Sequence, residues 1–119
     1  MANILRKTSG LVDVLADALS GVENQIDLAF VFGSLARGEQ NSNSDVDVLI
    51  VGGVGFADVV QLLYPVQQAL QREINPVVYS LAEFRRRVDS GDSFIQEVLA
   101  KPKLFVVGCE NELGKLTQD

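Results

Sequence analysis

A chain of 119 residues that is 47% hydrophobic and 22% charged has the material for one modest core and reads as an ordered globular domain. It contains no histidine and a single cysteine, Cys109, which excludes Ser-His-Asp and Cys-His nucleophile systems, histidine zinc sites, an intrachain disulfide and a cysteine metal cluster. Sixteen acidic against ten basic residues give a net charge of −6, so the chain has no general attraction to nucleic acid or to an anionic membrane surface.

The first element is a helix. Leu11, Val14, Leu15, Ala18, Leu19 and Val22 recur at three- and four-residue spacing, and Gly21 stands where the stripe ends. Asp27 to Phe32 is a short apolar run rich in aromatic and β-branched residues, stopped by Gly33, and it predicts a buried strand. Ser34 to Gly38 has the chemistry of a single capped turn, and residues 38–44 are a polar loop without periodicity. A second strand is predicted from about Asp45 to Val51, where Val46, Val48 and Ile50 alternate with Asp45, Asp47 and Leu49.

From Phe56 onward, Val59, Val60, Leu63, Val66 and Leu70 predict a second long helix, and Pro65 is expected to kink or split it. Ile74 to Tyr79 follows as a strand that Pro76 confines to an edge or to one non-donating side. Ser80 with Glu83, and Ser93 with Gln96, have capping-box spacing and predict two short helices. Pro102 ends the second, Leu104 to Val107 forms a last strand, and a frayed polar tail is expected beyond it. The whole is a single domain, residues 1–119, of the α/β (α+β) class: a small mixed sheet with helices packed on it. No apolar run approaches the ~20 residues of a membrane span, and the N-terminus lacks a signal-peptide run; no membrane partner and a cytoplasmic location are the expectation.

Glycine spacing suggests two phosphate motifs, and both fail. Gly33 and Gly38 have P-loop spacing, but Glu39-Gln40 stand where Lys and Ser or Thr are required. Gly53-Val54-Gly55 follows a strand, yet Asp58 occupies the third glycine's place of a dinucleotide fingerprint.

Asp45 and Asp47 are the stronger candidates. Two apart on a strand, they project from one face with Cα atoms roughly 6.6 Å apart. A solvated polar face is the plain alternative. Turned toward one point ~4–5 Å apart, however, their charges repel by about 3–4 kcal/mol at an effective dielectric of 20. Such a pair shares a proton or holds a cation, and an oxygen-only ligand set suits Mg²⁺ or Mn²⁺. Ser34 opens a helical turn whose N–H groups suit an anion, and Gly33 lets a phosphate approach the backbone.

Gly33-Ser34, ten residues, then Asp45-Val46-Asp47 resembles the signature of nucleotidyltransferases of the DNA polymerase β superfamily, especially the minimal stand-alone kind. Leu5 to Leu11, Phe30 to Gly38 and Asn75 to Ser80 are similar to nucleotidyltransferase domains that prokaryotes often join to a winged-helix DNA-binding domain. None precedes residue 1, so the chain is expected to be a free-standing version or a fragment.

The resemblance implies a palm-like fold and a Mg²⁺-dependent (or Mn²⁺-dependent) transfer of a nucleoside monophosphate from an NTP, ATP by preference, to a protein or small-molecule acceptor, with release of pyrophosphate. Asp45 and Asp47 would bind the metal and act in catalysis, Gly33 and Ser34 would hold the phosphates, and Arg37 would contact them. The superfamily uses a third carboxylate on the strand after the long helix. Asn75 stands in that place, and Glu73, two residues earlier on the same strand face, is the acid that would substitute for it, or else a solvated residue at the helix end.

The remaining candidates are plainer. Arg85-Arg86-Arg87 reads as a solvated helix face, with an acceptor or nucleic-acid contact as its alternative, and Lys101 and Lys103 would extend the same patch. Tyr64 and Tyr79 read as core or rim residues and Cys109 as structural. Because Asn75 replaces an acid, the competing expectations are a catalytically weak nucleotide-binding regulatory module and an antitoxin-like domain with a small helical toxin partner. A homodimer or a partner helix would complete so small a cleft.

Overall fold

The computed structural model describes residues 6–32 and 45–117. The expected turn at Ser34 to Gly38 and the loop to residue 44 lie outside the described residues. Helix α1 (Arg6–Leu19) runs into a 3₁₀ stretch (Ser20–Gln25) that leads into strand β1 (Ile26–Phe32). Strand β2 (Val46–Gly52), helix α2 (Phe56–Leu70) and strand β3 (Ile74–Tyr79) form a parallel crossover unit. Helices α3 (Leu81–Ser90) and α4 (Ser93–Ala100), strand β4 (Leu104–Val107) and helix α5 (Glu110–Thr117) complete the order.

The sheet has the order β3-β2-β1-β4. β1 is antiparallel to both β2 and β4, while β2 and β3 are parallel, so the sheet is mixed as expected. Pro76 falls on β3, an edge strand, where a missing amide donor is tolerated.

Both faces of the sheet are covered, which is why β1 reads as a continuous apolar run rather than an alternating one. One core joins Ala29, Val31, Val46, Val48 and Ile50 to Leu15 and Leu19 of α1 and to Val59 and Leu63 of α2. The other joins Leu28, Phe30, Phe32, Leu49 and Val51 to Phe84 of α3, Ile95 and Val98 of α4, and Leu113 of α5. The opposite face of β2 from Val46 and Val48 is therefore core too. Asp47 shares that face with the buried Leu49 and Val51.

Three local expectations are corrected. Helix α2 is unbroken through Pro65. Gln61, whose carbonyl loses its intrahelical donor there, and Pro65 are both exposed, so water can satisfy the carbonyl. Asp92, and not Ser93, is the N-cap of α4: its Oδ2 accepts from the Ile95 amide at 3.3 Å, and Ser93 is the first helical residue. At α3 the expected cap holds, with Ser80 Oγ accepting from the Glu83 amide at 3.1 Å. The polar tail is helix α5. Leu113 is buried and Leu116 packs beside it against the second core, while Glu110 and Glu112 in the first turn suit the helix dipole.

Candidate active site

The strand directions put four strand ends at one edge of the sheet: the C-terminal end of β1 and the N-terminal ends of β2, β3 and β4. At this edge Asp47 is registered with Phe32 of β1 on one side and with Asn75 of β3 on the other. Asp45 lies exposed just before β2, while Asp47 is half-buried.

Asn75 lies beside both carboxylates. Its Nδ2 donates to Asp45 Oδ2 at 3.4 Å, and it stands opposite Asp47 in the parallel register. The Asp47 carboxyl is pushed up from its ordinary value chiefly by burial and further by the Asp45 charge; the neighbouring Asn75 amide and the Lys101 charge pull against this. A half-buried carboxylate beside a second one favours a cation or a proton. Among the described residues no group of three or more His, Cys, Asp and Glu side chains is placed to hold a metal ion. Among the described residues the cluster at this edge is Asp45, Asp47 and the Asn75 amide, a set of oxygen donors of the kind hard divalent cations take.

Glu73 stands one register step before the Val46–Ile74 pair, opposite Asp45. Its carbonyl accepts from the Val46 amide at 2.9 Å. Its side chain is exposed and borders an open polar hollow with Gln67, Gln68, Gln71 and Arg72. Gln67 Oε1 in turn accepts from the Ile74 amide at 2.8 Å, tying the end of α2 to the start of β3. Gly33, Ser34 and Arg37 lie outside the described residues.

The basic run is largely engaged elsewhere. Arg86 and Arg87 both pair with Glu83, at 2.9 and 2.8 Å, and the Arg87 guanidinium sits 5.1 Å over the Tyr79 ring. Lys103 Nζ donates to the carbonyls of Leu99 and Lys101 at the end of α4. Tyr64 is exposed, and so is Cys109, which therefore lines no core. The sequence does not mark two residues at this edge as part of the site: Lys101, read there as an extension of the basic patch, whose charge acts on Asp47, and Phe94, which packs edge-on against Phe32, the cross-strand neighbour of Asp47, with ring centroids 6.0 Å apart.

Residues 14–101 match the nucleotidyltransferase domain family. The chain belongs to that family. Two proteins of Methanocaldococcus jannaschii, both named for protein adenylyltransferase activity, are similar to this nucleotidyltransferase domain. One is 39% identical over 54 residues, covering 44% of the chain and 58% of its own length, so the match spans little more than half of that relative. The other is 33% identical over 86 residues, 72% of the chain and 84% of the relative.

Two solved structures share the fold. A toxin–antitoxin crystal structure with AMP-PNP superposes with a TM-score of 0.60 at 16% identity, covering 89% of this chain and 80% of that one. A chain of the tri-AMPylated HEPN toxin in complex with MNT antitoxin, from Shewanella oneidensis, superposes with a TM-score of 0.56 at 12% identity, covering 92% and 80%. Among the described residues no helix is long and apolar enough to cross a membrane.

Proposed function

We propose that this nucleotidyltransferase domain binds ATP with Mg²⁺ or Mn²⁺ at Asp45 and Asp47 and transfers AMP to an acceptor on a protein. The observation that carries the proposal is the placement of Asp45 and Asp47 beside the Asn75 amide at one sheet edge. The names of the two archaeal relatives support the donor base and the acceptor class. An acceptor oxygen would attack the α-phosphorus, the bond to the departing pyrophosphate would break, and the acceptor proton would pass to a carboxylate.

The residues divide the work as follows. Asp45 and Asp47 would hold the cation, which when bound neutralises phosphate charge; Asp47 is the better held, being fixed within β2. Gly33 and Ser34 would receive the phosphates, with Arg37 as a further contact. Glu73 is the carboxylate nearest in register to serve as base.

Titration calorimetry with Mg–ATP and Mn–ATP tests the binding step. Metal-dependent binding is expected, lost in Asp45→Asn and in Asp47→Asn; binding that is absent, or indifferent to both substitutions, refutes the proposal. Transfer of label from α-labelled ATP to a protein target tests the chemistry.

The amide at position 75 favours one second reading. A positioned general base is worth 10²–10⁴ in rate, and a site lacking it would bind Mg–ATP yet turn over slowly, as a nucleotide-binding module of antitoxin type. Binding without label transfer supports that reading; transfer that requires Asp47 excludes it.

A further inference from the structure

Helix α4 lies on the same sheet face as Asp47, since Ile95 and Val98 pack with Phe32, Leu49 and Val51 in one core. The α4–β4 connection, Lys101 to Lys103, reaches the sheet at the edge where Asp47 sits: β4 begins at Leu104, which is registered with Val31 of β1, and Asp47 is registered with the next residue, Phe32. Phe94 and Lys101 are seven positions apart along this helix and its C-cap, two full turns, and so fall on one side of it.

Their surroundings differ from those of a structural pair. Phe94 leaves 37% of its surface in water although it packs on Phe32, the cross-strand neighbour of Asp47. Lys103 is held by two backbone carbonyls. The Lys101 ammonium instead has a long contact with Glu97, at 4.0 Å, with Glu97 largely exposed. Such a surface ion pair contributes little, so the ammonium can turn to a stronger anion at low cost.

We propose that this side of α4 is the second wall of the nucleotide site, with Lys101 taking the β- or γ-phosphate and Phe94 giving the base a flat apolar surface. The inference rests on the nucleotide-binding reading above and deepens it. A triphosphate brings several negative charges to an edge that already holds Asp45 and Asp47, so a cation beyond the metal is required there. A nucleobase gains affinity by stacking on an aromatic ring.

The experiment is calorimetric binding of two probes, Mn–ATP and Mn–tripolyphosphate, to the full chain. Lys101→Met is expected to weaken both by about tenfold, and Lys101→Arg to restore most of the loss. Phe94→Leu, which keeps the apolar cover on Phe32, is expected to weaken ATP about tenfold and to leave tripolyphosphate unchanged. Either Lys101→Met or Phe94→Leu binding both probes like the parent overturns the inference. A parent that binds Mn–ATP in an Asp47-dependent manner keeps the proposed function standing in that event; a parent that binds neither probe overturns both.

Discussion

Asp47 on β2 and Asn75 on β3 stand directly opposite each other in parallel register, an acid facing an amide where two acids would repel. The amide donates to Asp45 at 3.4 Å and faces Asp47 across the strand register. An amide therefore stands at this register position in place of a third acidic group.

Asn75→Asp should therefore raise label transfer from α-labelled ATP by about tenfold or more, since a positioned base is worth 10²–10⁴ in rate. Glu73→Gln in the parent should lower transfer by about 10²-fold if Glu73 is the base in use. An unchanged rate in Asn75→Asp, together with a loss in Glu73→Gln, would assign the role to Glu73.

The raised proton affinity of Asp47 makes a stability prediction. Ionisation is disfavoured in the fold, so the contribution of this carboxyl is fully present below its unfolded value, 3.8, and is lost as pH rises through the higher folded value. Asp47→Asn should thus raise Tm at pH 7 in metal-free buffer by about 2 °C, a small effect because the group keeps contact with water. The gain should vanish below about pH 3.5. Thermal melts across pH check the sign.

The cap of α4 is open to the same kind of test. Asp92→Ala should cost about 1 kcal/mol, comparable to Ser80→Ala at α3, whereas Ser93→Ala should fall within about 0.5 kcal/mol of the parent. Urea unfolding of the three variants compares them directly. Equal losses in Asp92→Ala and Ser93→Ala would contradict the observed cap.

Gly52 closes β2 where the chain passes over the start of β1. A Cβ there would lie 2.3 Å from the Gln25 carbonyl oxygen and 2.8 Å from Ile26 Cα. Both are backbone atoms at the irregular end of the β1–β2 register. Gly52→Ala should destabilise by about 1–3 kcal/mol through overpacking. Gly53→Ala, with nothing within 4 Å of its Cβ, should be far milder. Denaturant midpoints separate the two.

Apolar stripes and runs located the four described strands and helices α1 and α2, and capping-box spacing located α3 and α4. These patterns missed α5, whose core contribution rests on Leu113 and Leu116 within a polar stretch. They also placed the α4 cap one residue late, since Asp92 and Ser93 have equally suitable side chains and backbone geometry chooses between them. The Asp45–Asp47 pair was legible because a two-residue spacing on a strand puts both groups on one face wherever the strand lies. Their meeting with Asn75 depended on a parallel register between segments 30 residues apart, and no local pattern encodes that. The nearness of Lys101 and Phe94 to the aspartates is likewise a product of strand order: β4 pairs with β1 and brings the end of α4 to the edge where β2 begins. Local spacing determines which face a side chain occupies; only the packing of distant segments decides what it faces.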